Sequence, residues 1–435
     1  MRFRFILLLL SISMPFSALK AQMAVPESLT IDRTIQLVVA NHPAIKQAQQ
    51  QVVSAQARIK SSRSPYYPNI SALGSYARIG PVVSLEVPNQ GAIDLYPENN
   101  YDIHLSLQQN ILDFGRRSTR VKLAESGEIS ARDNVELMKS SLVYVSINLF
   151  YAMLLLEQNI KVLDEELDAF NQHLDVVKKR LKAGTATDFD VLTTQVKVSE
   201  VQNQKIDAVN TLAKQKAMFR ELTGIPDDEP VYLKGDFNTA SVDINLDSLT
   251  SLAFEQLPEV KLAQESEARA DIQYRLAGIA DRPTLNMNLE FGVKNGYIPD
   301  LNKLKANWIA GVLVNVPIFN GLATKNDKAA AYADLLAARE STSNVKNQVA
   351  ADIKQAISDF RASEDKVKTS TVQVEQAQAA TSIARSRYEI GVITNLDLLD
   401  AQTSLAYAKL VHFKALYGVI SSRYALDKAV GKKLW

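Results

Sequence analysis

Cysteine is absent from the 435 residues. That removes disulfides, thiolate metal sites, cysteine nucleophiles and the diacylated N-terminal cysteine of a lipoprotein. Glycine (16) and proline (14) are sparse, so little interrupts a helix over long stretches. Neither sign of charge dominates, with 49 Lys and Arg against 48 Asp and Glu, so no basic footprint for nucleic acid is present. The four histidines (His42, His104, His173, His412) are far apart, and no His-x-x-x-His, Walker or Gly-x-Ser-x-Gly pattern occurs. The expectation is therefore no enzyme, no metal site and no cofactor. A mean hydropathy of −0.09 is too polar for a bundle of membrane helices. The longest internal apolar stretch, Val143 to Leu156, is broken by Ser146 and Asn148 and reads as a buried helix segment.

The N-terminus reads as an export signal. Arg2 and Arg4 form the positive end, Phe5 to Ile12 the apolar stretch, and Ala18 to Ala21 a small-residue cleavage region. The apolar run is shorter than the roughly 18 residues a membrane anchor needs. Residues 1–21 are the expected signal peptide.

Internal repetition is the strongest signal. Arg180, Gly184, Thr187, Asp190, Leu192 and Gln195 coincide with Arg387, Gly391, Thr394, Asp397, Leu399 and Gln402 at a constant offset of 207. The stretch Pro43 to Pro68 maps onto Pro258 to Pro283 at an offset of 215. The change of offset falls in a hairpin loop that is longer in the first copy. This divides the chain into a first repeat (22–224), a linker (225–246, rich in Pro, Asp and Asn) and a second repeat (247–435).

Each repeat is predicted to begin with helical segments (31–63; 248–281), followed by two strands (69–78 and 100–111; 284–294 and 307–318). Leu285, Met287, Leu289, Phe291 and Val293 alternate with polar residues or glycine, and Tyr101 to Leu107 do the same: a period of two with one apolar face. Long helices follow (115–183 and 188–223; 322–390 and 395–430). Leu156, Ile160, Leu163, Leu167, Phe170, Leu174, Val177 and Leu181 step by four and three, a coiled-coil seam. Leu399 to Tyr424 repeats the pattern, and Val349 to Tyr388 carries it with smaller knobs such as Ala356 and Ala377. Gly184 and Gly391 end the first long helix of each repeat. Thr187 and Thr394 then start the next, with Asp190 and Asp397 three residues on, a capping pattern.

Four amphipathic strands with an apolar face and open edges cannot stand alone, and a membrane barrel must close. Closure therefore takes several chains, two giving eight strands and three giving twelve.

The doubled unit, Tyr388-Glu-Ile-Gly391 at the second tip, Thr-x-x-Asp-x-Leu after each tip glycine, and Ile111 to Gly115 with Pro317 to Gly321 at the strand-to-helix passages together resemble the TolC-like outer membrane efflux protein family. The resemblance covers nearly the whole mature chain. It implies a mainly α fold with a membrane β-barrel: a homotrimer with a 12-stranded barrel in the outer-membrane lipid and an α-helical periplasmic tunnel. It also implies docking to a periplasmic adaptor and an inner-membrane pump of the RND type, for drug or metal export. Type I protein secretion is the alternative within the family; a periplasmic adaptor or a coiled-coil scaffold is the alternative outside it.

The same resemblance places the pore constriction at Asp397 and Asp400, with Tyr388 and Asp190 as latch residues. The tip turns Gly184, Thr187, Gly391 and Thr394 would lie where an adaptor docks. Two positions depart from the family pattern, Ile393 in place of a latch arginine and Phe189 in place of a threonine. Read from the residues alone, Asp190 and Asp397 are capping groups, Asp400 is a solvated helix carboxylate, and Tyr388 continues a heptad.

Overall fold

The computed structural model describes residues 28–88, 91–238 and 245–435; the expected signal peptide and part of the inter-repeat linker lie outside them. The elements are α1 (Ile31–Asn41), α2 (Pro43–Arg63), β1 (Asn69–Arg78), β2 (Ser84–Val87), β3 (Gly91–Asp94), β4 (Asn99–Leu112), α3 (Arg116–Lys182), α4 (Asp188–Thr223), α5 (Leu246–Gln256), α6 (Pro258–Ala277), β5 (Thr284–Lys294), β6 (Lys305–Asn315), α7 (Ala323–Glu389) and α8 (Asn395–Ala429).

Proline divides both spans of expected helical segments. His42, at ψ 126°, precedes Pro43, and Leu257, at ψ 125°, precedes Pro258. A residue before proline is pushed out of the helical region, and proline is well placed in the first turn of a new helix. Each span is thus two helices, α1–α2 and α5–α6. The short β2–β3 hairpin inside the first loop is an addition that the sequence did not suggest.

The four longer strands form one antiparallel sheet in the order β1-β4-β5-β6. Residues directly opposite one another share a face. Ala72, Leu105, Phe291 and Trp308 form one cross-strand row; Ile70, Leu107, Leu289 and Ala310 form another. The opposite face carries the rows Ser75, Asp102, Lys294 and Lys305, and Ser71, Ser106, Glu290 and Ile309. Among the described residues neither face has a second layer: Phe291 is 65% exposed and Trp308 73%. β1 and β6 are open edges.

Arg117 fastens this sheet to the helices. Its side chain pairs with Asp113 at 3.1 Å, donates to the carbonyls of Pro65, Asn110 and Ile111, and lies 4.7 Å from the Tyr66 ring centre.

α3 and α7 each run 67 residues, about 100 Å at 1.5 Å per residue. α3 packs on α2 and α6, and further along on α4 and α8; α7 packs on α6 and α8. The lower helical layer therefore has the order α4-α3-α8-α7, with α4 and α7 at its edges. Val196, Ile206 and Met218 on α4, and Val372 and Ile383 on α7, are exposed along those edges.

One stretch of α3 is long and apolar enough to cross a membrane, but half of it is buried inside the fold. Val143, Ile147, Phe150, Met153 and Leu154 form the largest core with Ile35, Phe219, Val231 and Ile420. The linker closes over that core through Leu29, whose N–H donates to Tyr232 at 2.7 Å and whose carbonyl accepts from Lys234 at 2.9 Å.

Candidate functional site

The two helical hairpins end side by side, and their tips are built alike. Gly184 (φ 76°) and Gly391 (φ 78°) take the left-handed conformation that stops α3 and α7, a geometry costly for any residue with a Cβ. Thr187 and Thr394 are N-caps in full capping boxes. The Asp190 N–H reaches the Thr187 hydroxyl oxygen at 3.2 Å, and Asp190 Oδ2 accepts from the Thr187 N–H at 2.9 Å. At the second tip the corresponding distances are 3.1 and 2.8 Å for Asp397 and Thr394. The Thr394 hydroxyl and amide donate to the Asp397 carboxylate and hold its pKa below the ordinary aspartate value. Asp400, one turn on, is exposed and makes no hydrogen bond or ion pair among the described residues.

Tyr388 is 7% exposed and held between two side chains of α3. The Arg180 guanidinium lies 4.5 Å from its ring centre, and the His173 ring meets it edge-on at 4.9 Å. Arg180 also donates Nη1 to the carbonyl of Tyr388 at 3.2 Å and Nη2 to that of Glu389 at 3.1 Å. These are the final carbonyls of α7; that of Tyr388 also accepts from the Gly391 N–H of the turn at 3.1 Å.

His173 Nε2 is 2.6 Å from Asn395 Oδ1. Asn395, the first residue of α8, is 6% exposed and donates its amide to the Asp190 carbonyl and the Thr194 hydroxyl, both at 3.2 Å. Because Asn395 Oδ1 is an acceptor, His173 carries its proton on Nε2. Burial holds the His173 pKa below the usual histidine value, and the nearby Arg180 and Arg385 add to the effect.

Two turns further from the tip, Glu166 is 8% exposed, and burial pushes its pKa up to about 7. It lines a cleft of about 80 Å³ with Val162, Thr381, Arg385, Gln402 and Lys409.

Of the residues singled out from sequence, the fold brings Asp190 and Tyr388 into one cluster. Asp397 and Asp400 lie on the exposed first turns of α8. Ile393 is half-buried, and Phe189 is exposed at the rim of the first tip. Arg180, His173, Asn395 and Thr194 were not anticipated. The one sequence signal for the first two is their spacing of seven, which puts them on the same face of α3. Among the described residues, no group of three or more His, Cys, Asp or Glu could hold a metal ion within one chain.

An unclosed, two-faced sheet continuous with two helical hairpins, the longer arm of each about 100 Å, defines a protomer of a membrane-spanning channel-tunnel. The model of the family described as outer membrane efflux protein matches residues 34–225 and 249–432, and the chain belongs to that family. It is 24% identical over 418 residues to the probable efflux pump outer membrane protein TtgC of Pseudomonas putida, covering 92% of this chain and 82% of the relative. It is 22% identical over 410 residues to protein CyaE of Bordetella pertussis, covering 93% and 85%. The crystal structure of the Campylobacter jejuni CmeC outer membrane channel superimposes with TM-score 0.81 at 16% identity, covering 99% of this chain and 94% of that one.

Proposed function

We propose that three copies of this chain assemble into a passive exit duct across the outer membrane, serving a tripartite efflux system and gated at its periplasmic helix tips. The observation that carries this is the coincidence of two kinds of open edge on one chain. β1 and β6 leave the sheet unclosed, and α4 and α7 leave the lower helical layer unclosed with apolar residues exposed along both edges. Cyclic repetition satisfies both at once. The apolar rows face lipid and the rows containing Asp102, Glu290, Lys294 and Lys305 face the lumen. Two copies give eight strands, whose interior side chains fill; three give twelve, which leave room for water around those charges.

In that trimer Asp397 and Asp400 form two rings of three carboxylates each at the entrance, favouring cations and binding multivalent ones. Tyr388 and Asp190 belong to the structure that holds these rings in place. The turns at Gly184, Thr187, Gly391 and Thr394 present the surface for a periplasmic adaptor. Energy comes from an inner-membrane pump; an RND-type drug or metal exporter fits the family description and the efflux relative better than protein secretion. Export by a cleaved signal peptide, without a lipid anchor, completes the reading.

The test is purification in detergent followed by recording in planar bilayers. The expected result is a heat-resistant trimer that forms cation-preferring pores blocked by multivalent cations, with the block abolished by Asp397→Ala together with Asp400→Ala. A water-soluble monomer without conductance overturns the duct; unaltered block in the double variant overturns the carboxylate rings.

A further inference from the structure

We infer that Arg180 is the positioning residue that latches the second hairpin tip, taking the place left by the aliphatic Ile393; this rests on the duct reading above. The entrance carboxylates sit on the first turns of α8, joined to α7 by the short turn Ile390 to Thr394, so whatever holds the end of α7 sets where they stand. That turn exposes Ile390 and Val392 and makes no polar contact with the first hairpin through Ile393. The hold comes instead from α3.

Arg180 engages the end of α7 in three ways at once: a stack on the Tyr388 ring and one hydrogen bond to each of two successive carbonyls. A planar guanidinium can do this and an ammonium cannot, because only the fork presents parallel N–H groups while its face lies on a ring. The positive charge also stands at the negative end of the α7 dipole. His173, one heptad earlier on the same face of α3, closes the other side of Tyr388 and ties the start of α8 through Asn395.

The repeat supplies an internal comparison. The counterpart of Arg180 in the second copy is Arg387, and that of Tyr388 in the first copy is Leu181. Arg387 is exposed, and its side chain has no partner among the described residues. In a ring ordered α4-α3-α8-α7, it meets the neighbouring protomer's first tip, where leucine replaces tyrosine and Asp188 replaces Asn395. The clamp therefore exists between the two hairpins of one protomer, and its counterpart between protomers lacks the stacking ring. Loss of Arg180 releases the end of α7 from α3 without touching the carboxylates themselves, and leaves Asn395 as the tie between the start of α8 and the first hairpin.

The experiment records resting single-channel conductance of purified trimers carrying Arg180→Met, Arg180→Lys, Tyr388→Phe, Tyr388→Ala and Arg180→Met with Tyr388→Ala. A several-fold rise is expected for Arg180→Met and a smaller one for Arg180→Lys, which keeps the charge but not the fork. Tyr388→Phe keeps the ring but loses the hydroxyl that Arg180 also reaches, and rises less than Arg180→Met. The double variant rises no further than Arg180→Met, because the two side chains act as one unit. Heat resistance of the trimer is the folding control. Wild-type trimers that conduct and are blocked by multivalent cations, beside an Arg180→Met variant of unchanged conductance, overturn the latch and leave the duct standing. Wild-type protein that forms no pores overturns the duct itself. An Arg180→Met effect confined to lower heat resistance assigns Arg180 to stability alone and also overturns the latch.

Discussion

His173 on α3 and Asn395 at the start of α8 stand 222 positions apart in the chain, and Nε2 of the first lies 2.6 Å from Oδ1 of the second. The pair joins the two repeats where each hairpin turns. Asn395 uses its other end on the Asp190 carbonyl and the Thr194 hydroxyl, so one buried amide links three helices. A buried amide with every group satisfied fixes one arrangement, because any shift leaves a polar group stranded.

Replacing Asn395 with Leu strands the His173 N–H in a buried place, while the Asp190 carbonyl keeps the Thr194 hydroxyl at 2.7 Å. The cost of such an orphaned group is about 1–3 kcal/mol. Hydrogen exchange should show the amides of Asp188 to Thr194 and of the first turn of α8 opening roughly tenfold to a hundredfold more often than in the wild type. Exchange in the core around Phe150 should not change.

Two buried titratable groups act in opposite directions with pH. His173 has a lowered pKa in the fold, so the unfolded chain takes up a proton first as pH falls below about 6.5. Its effect is a loss of tip stability on acidification. Glu166, raised from 4.5 to about 7, stays protonated in the fold while the unfolded chain ionises, so its effect is a loss of stability as pH rises from about 4.5 through 7. The groups around it are Glu165 on α3, Lys197 on α4, Arg385 on α7 and Lys409 on α8, Lys409 being paired with Glu165. Thermal melts between pH 5 and 8 should show Glu166→Gln gaining at the alkaline end and His173→Gln gaining at the acidic end.

The capping boxes offer a separable measurement. Thr187→Ala and Thr394→Ala each remove an N-cap, at a cost of about 1 kcal/mol. Only the second also releases the hydroxyl bond that holds the Asp397 pKa down. Titration of multivalent-cation block should therefore fail at a higher pH in Thr394→Ala than in the wild type, while Thr187→Ala leaves the profile in place.

The sheet assignment predicts a face-dependent cost. Arginine in place of Leu105 or Phe291, on the apolar rows, should lower trimer yield and heat resistance, with about 2–4 kcal/mol expected at a lipid-facing midplane position. Arginine in place of Ser75, an exposed position in the row of Asp102 on the opposite face, should be tolerated and change only ion selectivity. Equal damage from both faces would contradict the assignment.

Much of the architecture is legible in one dimension because it is periodic. Strand alternation, the four-three stepping of Leu156 to Leu181 and the doubled Gly-x-x-Thr-x-x-Asp tips are local patterns, governed by the pleat, the helical turn and the cap. Proline placement is equally local, yet the breaks at His42 and Leu257 emerge only when the residue before each proline is considered. The β2–β3 hairpin was not legible, since its strands are only four residues long and the alternation of Ser84 to Val87 is too short to stand out.

The candidate site divides along the same line. The sequence by itself determined the repeat, the two-faced strands, the long helices and the capped turns bearing Asp190 and Asp397, because each depends on residues within about one helical turn or one strand. Only the tertiary structure decided that Arg180 stacks on Tyr388 and that His173 finds Asn395. Those pairings depend on how α3 lies against α7 and α8, and residues some two hundred positions apart leave no periodic trace of their contact.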